Sequence, residues 1–373
     1  MTTDARYDCI VIGLGAMGSA TLYHLAQRGI RALGIEQFQL GHAQGSSHGK
    51  TRIFRTAYAD PIYARMAGEA LSRWKRLESQ SGQGLLELVG AIGFAGVDNE
   101  HFRHVNAVHD TLQLPYEVLT GHEASRRFKV FQLGDEVVAR FAPRNGFLHA
   151  DRCLKAMQKM AIQGGAEVWE DLPVQRLESQ GGAVVVHAGD RRACAGGAVI
   201  TAGPWLGQLA EDLAMPLEVT REQKVYFTID DADRFRPDRL PVFAHYDTDI
   251  YGFPLQEYGL KLAMDHSGNA VDPNQVDREV DQNYIDTLKA WIERWMPTAM
   301  PRPATSAVCL YTKTPDLDFI IDHHPTMEHV VIAGGFSGHG FKFSILIGEM
   351  MADLVIDGVT KLPIERFRIA RFS

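Results

Sequence analysis

The sequence predicts an α/β chain, α+β overall, in which a nucleotide-binding domain is interleaved with a second, sheet-rich one. Three observations lead there. The first forty residues read as strand, glycine turn, helix, strand and acid. A second strand–glycine–helix unit stands near the end of the chain, and the stretches between alternate in pattern instead of forming two consecutive blocks. A length of 373 residues suits about two domains.

Composition narrows the class. Lys and Arg number 38 against 46 Asp and Glu, a net charge of −8. With no long basic run, this argues against nucleic acid or anionic lipid as the main partner. No apolar stretch approaches the roughly 18 residues that a membrane span needs. The polar lead Met1–Tyr7 runs directly into an apolar strand, which leaves no room for a signal peptide. Cys9, Cys153, Cys194 and Cys309 are scattered without a CxxC pair and read as reduced thiols of a cytoplasmic enzyme.

Tyr7–Ile12 (YDCIVI) is a buried strand by its β-branched, apolar run. It ends in Gly13-Leu14-Gly15-Ala16-Met17-Gly18. Leu22, Leu25 and Ala26 then fall at helical spacing over Met17–Gln27, with Gly29 as the stop. Ala32–Ile35 is a second strand, ending in Glu36. Gly13 and Gly15 allow a tight turn and close approach of backbone to a pyrophosphate at the helix N-terminus, and Gly18 lets helix and strand pack. Glu36 follows Gly13 by 23 positions, near the ~20 expected of the acid that binds an adenosine ribose. FAD and NAD share that ADP half, so this unit does not separate them.

Gly41–Arg55 (GHAQGSSHGKTRIFR) is rich in Gly and Ser and predicts a loop, neither helix nor strand. Its Arg52 and Arg55 suit a cofactor or substrate anion, because the guanidinium fork donates two parallel hydrogen bonds to a carboxylate. Further on, a helix is expected over Cys153–Gln163 and strands over Val225–Ile229, Leu260–Met264 and Ala198–Thr201, the last returning to the nucleotide domain. Val330–Ala333 is a strand running into Gly334-Gly335-Phe336-Ser337-Gly338-His339-Gly340. The helix after it shows an apolar face at Phe343, Leu346, Ile347, Met350, Met351 and Leu354. A second glycine cluster would aim backbone N–H groups at another part of the ligand, and a flavin offers a target, since reduction puts negative charge on its N1/C2=O edge.

At this point the chain resembles the monomeric sarcosine oxidase family, with N-methyltryptophan oxidase and related amine and amino-acid oxidases. The likeness covers nearly the whole chain. It rests on GLGAMG with Glu36, on SSHGKTRIFR, on YGFP and GLKL around Tyr251 and Lys261, on CLYTKTPDLDFIIDHHP from Cys309, and on AGGFSGHGFKFS. The resemblance implies a glutathione-reductase-like FAD-binding domain from residues 1–84, 147–218 and 313–373. An antiparallel-sheet catalytic domain from 85–146 and 219–312 would cover the flavin. It implies FAD joined by a thioether from Cys309, and Gly13, Gly15, Gly18, Glu36, Ser46, Thr51, Arg52, Gly335, Gly338, Gly340 and Lys342 around the cofactor. Lys261 matches the lysine near flavin N5 that promotes reaction with O2, and Arg52 an arginine close to the ring. Tyr251 matches an active-site tyrosine, and Arg55 with Lys342 the pair that holds the substrate carboxylate.

One departure concerns the histidine that sarcosine-type members carry a few residues after the lysine. Asp265 holds that register here and His266 is displaced by one, which in a strand would turn it to the other face. His323-His324 are expected to be structural or flavin-adjacent, with no metal. The implied function is an oxidase of a secondary amino acid, N-methyl or cyclic, with a small-molecule substrate and O2 as partners. It would yield an imine, its hydrolysis products and H2O2. A dehydrogenase of the same fold with another electron acceptor is the alternative.

Overall fold

A computed structural model describes residues 5–372. Met1–Asp4 and Ser373, which include most of the polar lead and the outer ends of the first and last expected segments, lie outside the described residues. Among the described residues the strands form three sheets, of eight, nine and three strands.

The eight-stranded sheet is built around Ala5–Ile12. It runs parallel to Ala32–Ile35 on one side and to Arg191–Ile200 on the other, and Arg191–Ile200 is in turn parallel to Val330–Gly334. Both faces of the central strand are covered. Cys9 and Val11 pack with the helices Ala16–Gln27, Ala150–Gln163 and Ser344–Asp357, while Ile10 and Ile12 pack with Val184, Val186 and Leu206. A strand buried on both faces requires a continuous apolar run, and CIVI supplies it.

In the nine-stranded sheet, Glu218–Thr228 pairs antiparallel with Leu260–Met264 and with Arg302–Lys313. The sheet continues through Ile250–Gly252 and Val242–His245 to Ala91–Gly96 and Val137–Ala142. The pair Val242–His245 with Ala91–Gly96 is parallel, so the expected antiparallel sheet is mixed at that joint. One face is core: Val225, Phe227, Phe243, Leu260 and Leu262 bury against Leu288, Trp291 and Ile292 of the helix Gln282–Trp295. Strand alternation then turns Glu222, Lys224, Lys261 and Cys309 to the opposite face.

Two expectations need correction. Thr51–Phe54 is a strand of the third sheet, not loop: it pairs antiparallel with Gly146–His149, which also pairs with Leu86–Glu87. Its partner lies far along the chain, where a local reading of a Gly/Ser-rich stretch does not reach. At the other end, Phe343 belongs to a 3-10 turn, Phe341–Phe343, that precedes the helix Ser344–Asp357.

Gly18 shows how tightly the first turn is built. A Cβ there would stand 1.8 Å from Gly13 O and 2.6 Å from Thr201 Oγ1. Neither backbone oxygen nor buried hydroxyl can yield that far, so Gly18→Ala should lower stability by on the order of 3 kcal/mol. Gly207→Ala is the control, since nothing lies within 4 Å of a Cβ at that site. Thermal melts of the flavin-free proteins check it: equal midpoints for the two variants would contradict the packing argument.

Candidate active site

Two cavities meet between the sheets. The larger, about 500 Å³, begins at Glu36 and His42, passes Gly13, Gly15, Ser46 and Ser47, and ends against Gly335, Gly338 and Gly340. The smaller, about 140 Å³, is lined by Arg55, Tyr251, Lys261, Asp265, Cys309 and Lys342. They share Arg52, Tyr311, Gly338 and Phe341, and therefore adjoin there.

The larger cavity has the features of a dinucleotide cradle. Gly15 caps the helix Ala16–Gln27, whose first turn contains no acid and whose N-terminus receives no side-chain cap of its own. Ala16 N donates to Ser47 Oγ (2.9 Å), which fixes the loop beside the helix end. The positive helix end and free N–H groups there favour an anion. Glu36 is buried, and its carboxylate accepts from Leu14 N (2.7 Å) and Phe38 N (3.2 Å). At the far end Gly338 has φ +80°, and a Cβ on it would meet the Tyr311 ring at 2.3 Å. Gly18 stands behind the turn, and Thr51 lies beneath the cavity wall; neither lines the space, although the resemblance grouped both with it.

In the smaller cavity cations crowd together. Lys261 Nζ donates to Thr51 O (2.9 Å), and Arg52 Nη1 donates to the same oxygen (3.0 Å), while Arg52 Nη2 donates to Ser46 O and His48 O. Lys224, absent from the sequence expectations, is buried beside them, and its Nζ has no hydrogen-bond partner. Burial pulls the Lys224 ammonium down to a pKa of about 8. Burial, reinforced by Arg52 and Lys224, holds Lys261 well below the ordinary lysine range. Cys309 is buried and free, opposite Glu222 in the strand register.

Across the cavity, Lys342 Nζ donates to Tyr58 Oη (2.8 Å) and His339 O (2.6 Å), and the Arg55 guanidinium lies 5.1 Å from the centre of the Tyr58 ring. Burial and then Arg55 push the Lys342 ammonium down as well. Facing this pair, Tyr251 and Tyr311 share the cavity wall, and Tyr311 Oη donates to Asp265 Oδ1 (3.2 Å). Tyr311, Glu222, Lys224 and Asn145 line this space without having been singled out from sequence. The available signal was the alternation REQKVYF, which puts 222 and 224 on one strand face.

Donors at a helix end, a buried acid at one extreme and a cation-rich chamber at the other fit a flavin dinucleotide. Comparison with known proteins agrees. Residues 8–354 match the model of the FAD-dependent oxidoreductases. The chain belongs to that family. It is 34% identical to the monomeric sarcosine oxidase of Streptomyces avermitilis, with 98% of each chain covered. To the N-methyl-L-tryptophan oxidase of Yersinia pestis it is 32% identical over 98% of this chain and 99% of that one. Among solved structures, NikD, an unusual amino acid oxidase essential for nikkomycin biosynthesis, superposes with a TM-score of 0.86 at 25% identity over 98% of this chain and 97% of that one.

Within this family member, the histidine expectations are revised. The strand ends at Met264, so alternation does not reach His266, and Asp265 lines the smaller cavity while His266 does not. His266 sits in a turn at φ 51°, its ring edge-on to Tyr311 with centroids 5.8 Å apart. His323 faces Gly358 O (3.1 Å) near the surface, and buried His324 accepts from Met327 N (3.1 Å). Neither lines either of the two cavities. Among the described residues no group of three His, Cys, Asp or Glu could hold a metal ion, and no helix is long and apolar enough to cross a membrane.

Proposed function

We propose that this flavoenzyme is an oxidase of secondary amino acids of the N-methyl class, working in the cytoplasm with O2 as acceptor and H2O2 as product. The observation that carries the reading is that the two cavities adjoin at Arg52 and Tyr311, with Arg55 and Lys342 on the wall of the smaller one. Residues 1–84, 147–218 and 313–373 form the FAD-binding domain in this reading, and 85–146 with 219–312 the catalytic one. Both curated relatives named above are oxidases, which favours O2 over another acceptor.

Bound FAD supplies the two-electron acceptor. Gly13, Gly15 and the N-terminus of Ala16–Gln27 hold its pyrophosphate, Glu36 the ribose, and Ser46 with Gly335, Gly338 and Gly340 line its path. Arg55 and Lys342 receive the substrate carboxylate, which fixes the reacting C–H bond at the junction of the cavities. Tyr251, together with Tyr311 and the Asp265 that Tyr311 holds, closes the opposite side and excludes water. The cations Arg52 and Lys261 disfavour a protonated amine nearby and so promote the neutral form that reacts.

Anaerobic addition of N-methyl amino acids should bleach the flavin, and readmitted air should restore it with release of H2O2. A flavin that stays oxidised through a broad screen of secondary amino acids would overturn the reading. Cys309 forms the thioether to the cofactor in this proposal. Acid-precipitated wild type should keep flavin absorbance on the polypeptide, whereas Cys309→Ala should fold and release its FAD to the supernatant. Free flavin from the wild type would refute the covalent link without touching the reaction.

A further inference from the structure

At one end of the smaller cavity stands an arginine on which Asp110 acts from beyond ion-pair distance. Arg140 is 3% exposed and sits in VVARFA, where Ala139 and Phe141 belong to the core on the other face of the sheet. Its Nη2 bonds His109 Nδ1, and His109 Nε2 contacts Thr56 O at 2.9 Å. Because a carbonyl only accepts, Nε2 carries the proton and Nδ1 is the acceptor for Arg140. Burial and Arg140 pull His109 to a pKa of about 4, so the ring offers a lone pair but no countercharge at neutral pH. Beneath the guanidinium lies the Tyr116 ring, 4.5 Å from its centre. Arg140 Nε has no partner, and among the described residues the side chain makes no ion pair.

Asn145 presents a second orphan beside it. Its Oδ1 accepts from both Thr56 N and Thr56 Oγ1, each at 3.1 Å, which fixes the amide orientation and leaves Nδ2 as a buried donor without an acceptor. Both side chains line the same cavity as Arg55 and Lys342. Buried donors left unpaired are costly, and a buried cation more so, unless a ligand completes them.

The sheet register shows how this end relates to the carboxylate pair. Arg140 pairs with Gly93, Gly93 with Ala244, and Ala244 with Tyr251, so all four share one row across the sheet. Three interstrand steps separate Arg140 from Tyr251, roughly 14 Å at the backbone. The two residues between are small, and the Tyr246 ring lies over Gly93, where a Cβ would meet its Cε2 at 2.5 Å. Tyr246 thus forms the wall of this row, in the same cavity lining as Arg55 and Arg140, and its hydroxyl is the neutral group that a ligand spanning the two ends would pass.

We propose that Arg140 and Asn145 form a second carboxylate subsite, and that the enzyme's substrates are secondary amino acids bearing a further carboxylate on the side chain. The α-carboxylate occupies Arg55 and Lys342, and the distal one takes the guanidinium of Arg140 and the Asn145 amide. This inference rests on the amino-acid oxidase reading above. A carboxylate is favoured over a neutral acceptor because it alone cancels the buried charge while matching the guanidinium fork.

The test compares N-methyl-L-glutamate and N-methyl-L-aspartate with N-methyl-L-norvaline and sarcosine. Wild type should prefer at least one diacid by about ten- to hundredfold in kcat/KM. Arg140→Gln should raise KM for that diacid by a similar factor while the monoacids change less than about twofold. Asn145→Asp keeps the acceptor oxygen for Thr56 but replaces the free donor with a negative charge, and should impair the same diacid selectively even if Arg140→Gln folds poorly. Glutarate and acetate titrations of the flavin-loaded proteins, read by the flavin spectrum, give an arm independent of turnover. Glutarate should weaken in both variants and acetate should not. No diacid preference in wild type, or equal losses for both acid classes in the variants, overturns the subsite. If no secondary amino acid reduces the flavin while glutarate still discriminates, the subsite stands and the oxidase reading falls.

Discussion

Lys261→Met is expected to leave reduction by substrate nearly intact and to slow reaction with O2 by on the order of 10²–10³. The two half-reactions make different demands. Reduction needs an aligned C–H bond, which in the proposed reading is set by Arg55 and Lys342, both in the cavity lining. Electron transfer to O2 creates an anion where water is largely excluded, and a cation there lowers the barrier far more than it would in bulk water. Lys261 is anchored to Thr51 O, and its ammonium lies 4.3 Å from the centre of the Phe253 ring. Burial, then Arg52 and Lys224, depress its pKa, so its charge is lost at lower pH than that of an exposed lysine. The sign follows: the oxygen reaction should slow as pH rises through that depressed pKa, and the Lys261→Met profile should lose this limb. Stopped-flow traces of each half-reaction decide the matter. An unchanged oxygen rate in Lys261→Met would transfer the role to Arg52 or to the unpartnered Lys224.

The parts of this site that were legible in sequence are those formed by neighbours along the chain. Gly13, Gly15 and Glu36 belong to one continuous strand–turn–helix–strand unit, and their spacing is the geometry. Gly335, Gly338 and Gly340 are similarly local. The sheet face opposite them is not. Cys309 meets Glu222 and Lys261 meets Tyr226 only because three strands distant in sequence pair in one register. Period-two alternation tells that residues 222 and 224 share a side, but not which side carries the core. Arg140 had a sharper signal, a charge inside the apolar run VVARFA. Parity could not place His266 for a related reason: the rule is valid only to the strand's end, and that end is set by the turn after Met264.

Arg55→Ala and Lys342→Ala should each weaken carboxylate binding by about ten- to hundredfold, the value of one charge-assisted hydrogen bond. Lys342 adds a pH dependence that Arg55 cannot. Its side chain is buried, holds only neutral partners in Tyr58 and His339 O, and stands near Arg55, all of which favour the uncharged amine when the cavity is empty. A bound carboxylate restores the charge, so its arrival draws a proton onto Lys342 between the depressed pKa of the free state and the higher one of the complex. Affinity for simple carboxylate inhibitors should therefore fall as pH rises across that window. Lys342→Met should bind them weakly with a flatter profile, and Arg55→Ala should bind weakly but keep a slope. Amines lacking the carboxylate should respond little in either variant. Spectral titrations with acetate at several pH values, together with kinetics on decarboxylated substrates, read both effects. Equal losses for acids and plain amines would mean that the pair supports the fold around Tyr58 and Trp74, whose indole N–H already holds Lys342 O at 2.8 Å, and does not bind the substrate.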